Sequence, residues 1–149
     1  MFHRQLPAAF LAALLALAPS LSLAQDDFTA PSNPEEALAL RKALMREDGS
    51  ILRSAARLTG AEAVAAARTI ADNYSHIPAL FPEGSIVGDS KALPAIWENW
   101  ETFTGIAETG QQAAEAAFAA AQAGDDAGYQ AALKTVMGTC GQCHQQFRS

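Results

Sequence analysis

The densest cluster of reactive side chains in this 149-residue sequence is Cys140-Gly141-Gln142-Cys143-His144, close to the C-terminus. On a helix, residues three and four apart share a face. Two thiols at i and i+3 therefore stand one turn apart, the separation needed to reach the two vinyl groups along one edge of a porphyrin. His144, at i+4 from Cys140, projects to the same side and can offer an imidazole nitrogen to iron. Cys-x-x-Cys-His is the c-type haem attachment signature. The spacing predicts one covalently bound haem c per chain, with Cys140 and Cys143 as thioether attachments and His144 as proximal iron ligand. Competing uses fit less well. A thioredoxin-like dithiol follows a strand in a βαβ unit, and no such strand is legible. Structural zinc needs four ligands, for which only the distant His76 could be added. A disulfide across i, i+3 within a continuous helix is strained.

These residues need a scaffold, and the pattern around them is helical. Ser32-Asn33-Pro34-Glu35-Glu36 opens a first helix: a capping side chain, proline in the first turn, then acids at the positive end of the helix. Leu40, Leu44, Ile51 and Leu58 continue it at helical spacing, and Thr59-Gly60 closes it. A second helix is predicted from Ala61 to His76. Pro78 and Pro82 then stop propagation, leaving 77–90 as one long loop. In a third helix Ile96, Trp100, Phe103, Ala107, Gly110, Ala114, Ala117 and Ala121 form a seam in steps of four and three. Gly124-Asp125-Asp126 breaks the chain, and Tyr129, Leu133, Val136, Cys140, Cys143 and Phe147 line the last helix. Four amphipathic helices with short links predict an all-α, antiparallel up-down four-helix bundle with covalently bound haem.

The N-terminus reads differently. His3 and Arg4 precede an apolar stretch from about Leu6 to Leu23 that ends in Ser22-Leu23-Ala24. This predicts an export signal at 1–24, cleaved after Ala24, and a single mature domain at 25–149. The stretch is interrupted by Pro7 and Pro19, which makes it a poor membrane anchor. The whole chain carries a formal net charge of −6. No Lys/Arg cluster tracks a phosphate backbone, so nucleic acid is not expected as a partner, nor is a membrane after signal cleavage. An acidic exported protein is expected to meet basic patches on other proteins, though charge alone names no partner; the haem motif adds redox partner proteins to that expectation.

With the attachment motif and the helical pattern in place, the sequence resembles the cytochromes c′. The motif continues as His144-Gln145-Gln146-Phe147-Arg148, like the family's ending. Leu40-Arg41-Lys42-Ala43-Leu44-Met45, Leu80-Phe81-Pro82-Glu83-Gly84 and Ala95-Ile96-Trp97 match elsewhere. A C-terminal haem motif separates this family from the commoner cytochromes c, which carry it near the N-terminus. The resemblance implies that Arg41 lies near a haem propionate, with Lys42 beside it at the haem. It also implies that Arg148 tunes the electrostatics of the proximal histidine, and that Met45 covers the distal face of the iron. Gly141 stands where the family often has lysine.

Met45 leaves two mechanisms open. As a space-filling side chain it would leave a five-coordinate, high-spin iron able to bind nitric oxide or carbon monoxide, the reading that the Arg41 match favours. As a sixth ligand it would give a low-spin His/Met electron carrier. His76 reads as a solvated or capping residue, and Trp97, Trp100, Tyr74 and Tyr129 as packing residues. No Ser/His/Asp set or carboxylate pair supports hydrolysis. The chain is expected to be a periplasmic electron-transfer or gas-binding haem protein rather than an enzyme. Alanine-rich faces at Ala55, Ala56 and 63–67 permit the homodimer common in the family.

Overall fold

In the computed structural model, residues 28–149 are described; the predicted signal at 1–24 lies outside them. Helix α1 spans Pro34–Ala55 and starts as the sequence dictates. Asn33 caps it by accepting from the Glu36 amide at 2.8 Å, and the Glu36 carboxylate reaches back to the Ser32 amide at 2.7 Å. Helix α2 spans Gly60–His76. Gly60 enters it at φ 53°, a left-handed conformation that favours glycine.

Two boundaries differ from the sequence reading. The 77–90 segment contains a 3-10 turn at Pro78–Leu80, so it is not wholly irregular. The predicted third helix is two helices. A short α3, Ala95–Glu98, ends at Asn99, whose φ −129° and ψ 45° are not helical, and α4 then runs from Trp100 to Ala123. The kink swings Trp100 out of the seam, to 40 % exposure, while Phe103, Ala107, Gly110, Ala114 and Ala117 stay buried. Gly124 closes α4 in the left-handed conformation, φ 69°, and Asp125 caps α5, Asp126–Phe147, by accepting from the Gly128 amide.

The four long helices form the predicted bundle, ordered α1–α2–α4–α5 around the core, and the described residues contain no strand, only an isolated bridge between Ala92 and Arg148. Helix α4 packs along both α2 and α5 around Ile70, Phe103, Leu133 and Val136. The alanine seam lets the backbones approach closely. Helix α1 contacts α5 only sparsely. At the far end Tyr129 and Gln130 tie α5 to α1 by donating to the carbonyls of Ala55 and Ala56, at 3.1 and 2.7 Å. Toward the C-terminus of α5 the two helices part, and the gap between them is the site. No helix among the described residues is long and apolar enough to cross a membrane.

Candidate haem site

The gap is a cleft with two lobes. The larger, about 500 Å³, is lined by residues of α1, the loop before α3, α4 and the end of α5. The smaller, about 210 Å³, lies deeper among α1, α2, α4 and α5. Both are walled by Met45, Phe81, Phe103, Cys143 and His144, so they meet at the attachment motif. The size falls within the ~300–1,000 Å³ typical of cofactor pockets.

The last turns of α5 present the motif to this cleft. Cys140 and Cys143 are half-buried and unpaired, each available as a thiol. Burial, with a smaller contribution from Cys140, pushes the Cys143 thiol up to about 11. His144 has an exposed edge, but desolvation first and the Arg148 charge second lower its pKa, which favours the neutral imidazole that can bind a metal. Among the described residues no cluster of His, Cys, Asp and Glu forms a bare metal site. The donor set instead fits a haem: two thiols one turn apart, one imidazole, and aromatic walls from Phe81, Phe103 and Phe147.

The remaining sequence-predicted residues converge on the same cleft. Met45 sits on α1 and lines both lobes, 36 % exposed. Arg41, one turn earlier, is 5 % exposed and lies over the Phe81 ring, 4.6 Å from its centroid. It donates to the Ser85 hydroxyl at 2.8 Å, the Ser85 carbonyl at 2.6 Å and the Leu80 carbonyl at 3.3 Å. Desolvation lowers its pKa, and no carboxylate pairs with it among the described residues. It is a buried cation on neutral partners, and it lines the larger lobe. Lys42 also lines that lobe and pairs with Asp89, whose pKa it lowers. Arg148 reaches the lobe from just past α5. The backbone there is pinned: the Leu93 amide donates to the Phe147 carbonyl at 3.0 Å and the Ser149 amide to Lys91 at 2.9 Å.

Other residues lie apart or add to the site. His76 stacks on Phe28 at a 4.0 Å centroid distance and lines neither lobe. Trp97 is a packing residue whose indole donates to the Phe81 carbonyl at 3.0 Å. Two polar contributors to the deeper lobe escaped the sequence reading. Asp48, three residues after Met45, is 5 % exposed at the wall of the deeper lobe, and burial drives its carboxyl up to about 6 despite a hydrogen bond from Asn73. An acid on the buried stripe between Leu44 and Ala55 was the available signal. Tyr74 was read as a packing residue, yet its hydroxyl lies 3.2 Å from Cys140 Sγ and 3.0 Å from Thr139 Oγ1. Nothing in its spacing announced that contact.

A family model described as Cytochrome C′ matches residues 34–148, which include every element just described. The chain belongs to the cytochrome c′ family. A cytochrome c′ of Rhodopseudomonas palustris is 32 % identical over 149 residues, covering 95 % of this chain and 94 % of that protein. A cytochrome c-556 of Agrobacterium tumefaciens is 36 % identical over 116 residues, covering 72 % and 93 %. Among solved structures, the nitric oxide complex of an engineered variant of cytochrome c prime from Alcaligenes xylosoxidans superposes with a TM-score of 0.70 at 25 % identity, covering 79 % of this chain and 98 % of that one. Cytochromes c′ bind covalently attached haem c, and Cys140 and Cys143 fit that attachment. The family comprises haem electron carriers and gas-binding haem proteins of the bacterial periplasm, not conventional enzymes.

Proposed function

We propose that this cytochrome c′ is a one-electron carrier, exported through cleavage of residues 1–24, whose haem is attached at Cys140 and Cys143 and ligated by His144 and Met45. One observation carries the reading: Met45 and His144, from helices α1 and α5, wall the same two lobes of one cleft. The haem supplies the one-electron couple. The chain's residues determine how it is held. Neutral His144 offers a lone pair, and Met45 an uncharged, soft sulfur that favours the reduced state. Phe81, Phe103 and Phe147 exclude water, so little solvent has to reorganise when charge changes. Arg41 brings a desolvated cation to the larger lobe, suited to a haem propionate.

The deeper lobe favours a second activity at the same place. Leu52, Ile77, Ile106 and Ala107 give it apolar walls beside Met45, surroundings that suit a small neutral ligand such as nitric oxide or carbon monoxide on the iron. Such a ligand would enter by displacing the Met45 thioether. The relative whose variant was solved as a nitric oxide complex supports this reading.

The absorption spectrum of the ferric protein tests the ligand assignment. The expected result is a six-coordinate, low-spin spectrum with a sulfur-to-iron charge-transfer band. Met45→Ala should abolish that band, shift the iron to high spin and speed carbon monoxide binding in the ferrous state. A high-spin wild-type spectrum unchanged by Met45→Ala would remove Met45 from the coordination sphere.

A further inference from the structure

Charge is distributed very unevenly over this acidic chain. Among the described residues, Arg41, Lys42, Arg46, Lys91 and Arg148 line the larger lobe, whereas Asp89 is the only Asp or Glu that does. Lys42 takes up Asp89, while Arg46, Lys91 and Arg148 are exposed and have no carboxylate partner among the described residues. The two propionates of a haem could neutralise at most two of the four remaining cations. The exposed face of α4 has the opposite sign, with Glu101, Glu108 and Glu115 at heptad spacing. At 0.1 M salt the Debye length is ~10 Å, so cations that line one lobe act together while more distant acids are screened.

We propose that the mouth of the haem cleft, ringed by Arg46, Lys91 and Arg148, is the docking surface for an acidic face of a redox partner protein. This inference rests on the electron-carrier reading. It reverses the expectation from net charge, which pointed to basic partner patches. Complementary charge raises the encounter rate and sets orientation, and here it would direct a partner to the edge where electrons leave the haem. Backbone geometry keeps the ring in place. The bridge between Ala92 and Arg148 and the Ser149-to-Lys91 hydrogen bond hold two of its three cations on adjoining segments.

The test uses the haem-loaded protein and two small oxidants of opposite sign, ferricyanide and tris(phenanthroline)cobalt(III). As ionic strength rises from ~0.01 to ~0.15 M, shrinking the Debye length from about 30 to about 8 Å, oxidation by ferricyanide should slow roughly threefold or more. Oxidation by the cobalt cation should not slow. Arg46→Glu with Lys91→Glu should reverse the ferricyanide trend, while Arg53→Glu, on α1 outside the lobe, should leave it. Independently of electron transfer, the paramagnetic anion hexacyanochromate(III) should broaden the amide signals of residues 46, 91 and 148, and polyglutamate should displace it. A ferricyanide rate that rises with salt, as a net charge of −6 dictates, overturns the docking surface. So does displacement by polyglutamate no better than by the same concentration of free glutamate, which would mark a small-anion site. Failure of both oxidants to react sinks the carrier reading as well, and is thereby distinguished from a wrong salt dependence.

Discussion

The two flanks of helix α5 are built differently. Its α4 flank is closed by side chains: Gly110 opens a slot, the Tyr74 ring from α2 fills it, and the Tyr74 hydroxyl lies within hydrogen-bond distance of Thr139 and Cys140. Its α1 flank is open along the cleft, where Met45 is 36 % exposed and Arg41 is a buried cation with neutral partners. The closed flank needs nothing beyond the chain. The open flank has its aromatic walls and its positive charge arranged around a group the chain must acquire. The attachment cysteines lie where the two meet, so rigidity on one side is converted into position on the other.

If that division is right, the largest effect should come from closing the slot. A Cβ at Gly110 would come within 2.0 Å of the Tyr74 ring edge and 2.9 Å of Thr139 Oγ1. The ring is buried between helices, with its hydroxyl held at Thr139 and Val136, so it can yield only toward the haem cleft. Gly110→Ala should therefore destabilise the haem-loaded protein by about 3 kcal/mol, at the upper end for overpacked cores, measured by urea unfolding. The helix-propensity gain of ~1 kcal/mol for replacing an interior glycine is too small to offset it. Wild-type stability in this variant would show that the α4 flank is as compliant as the α1 flank.

Much of this architecture was legible in the sequence, and the rest was hidden for physical reasons. The attachment motif, the caps at Asn33 and Asp125, and the seam from Phe103 to Ala117 depend on spacing along a single helix, which sequence displays directly. The break at Asn99 was masked because Ile96, Trp100 and Phe103 keep helical spacing across it. Convergence of Arg41, Met45, Lys91 and Arg148 on one cleft depends on contacts between distant segments. The family resemblance suggested part of that convergence, but Lys91 and Arg46 carry no local signal. The net charge of the chain even pointed the wrong way about the cleft, because it averages over surfaces of opposite sign.

On the α1 flank, Asp48 should produce a pH-dependent effect of intermediate size. Its folded pKa of about 6 stands above the reference value of 3.8. Between those values the folded state binds more protons than the unfolded chain, so this residue's contribution to stability declines as pH rises through the window. Above pH ~6 the full cost of the buried carboxylate is present. Asp48→Asn keeps an oxygen to accept from Asn73 and removes the charge. It should be close to neutral near pH 4 and stabilising near pH 8 by roughly 2–3 kcal/mol at ~1.36 kcal/mol per unit of pKa. A flat difference across pH 4 to 8, within ~0.5 kcal/mol, would mean that Asp48 is not desolvated in the haem-loaded protein.

The smallest effect should be the most informative about how the flanks communicate. The Thr139 hydroxyl donates to the Val136 carbonyl at 2.7 Å, so toward Tyr74 its oxygen can only accept. With a free thiol, the Tyr74 proton can go to Thr139 while the Cys140 S–H donates to the Tyr74 oxygen. Attachment of the haem consumes the S–H. The Tyr74 proton is then left with Thr139, the Val136 carbonyl at 3.4 Å, or a sulfur that can only accept, weakly. Tyr74→Phe keeps the ring in its slot and deletes that proton. The expected stability loss is about 1 kcal/mol, the usual value of one buried hydrogen bond. If the proton goes to the sulfur, it withdraws electron density from the haem edge, and Tyr74→Phe should also lower the reduction potential. Thr139→Val, which removes one competing acceptor, should then leave the potential unchanged or raise it. An unchanged potential in Tyr74→Phe, with the same stability loss, would place the proton on Thr139 or Val136 rather than on the sulfur and confine the closed flank to a mechanical role.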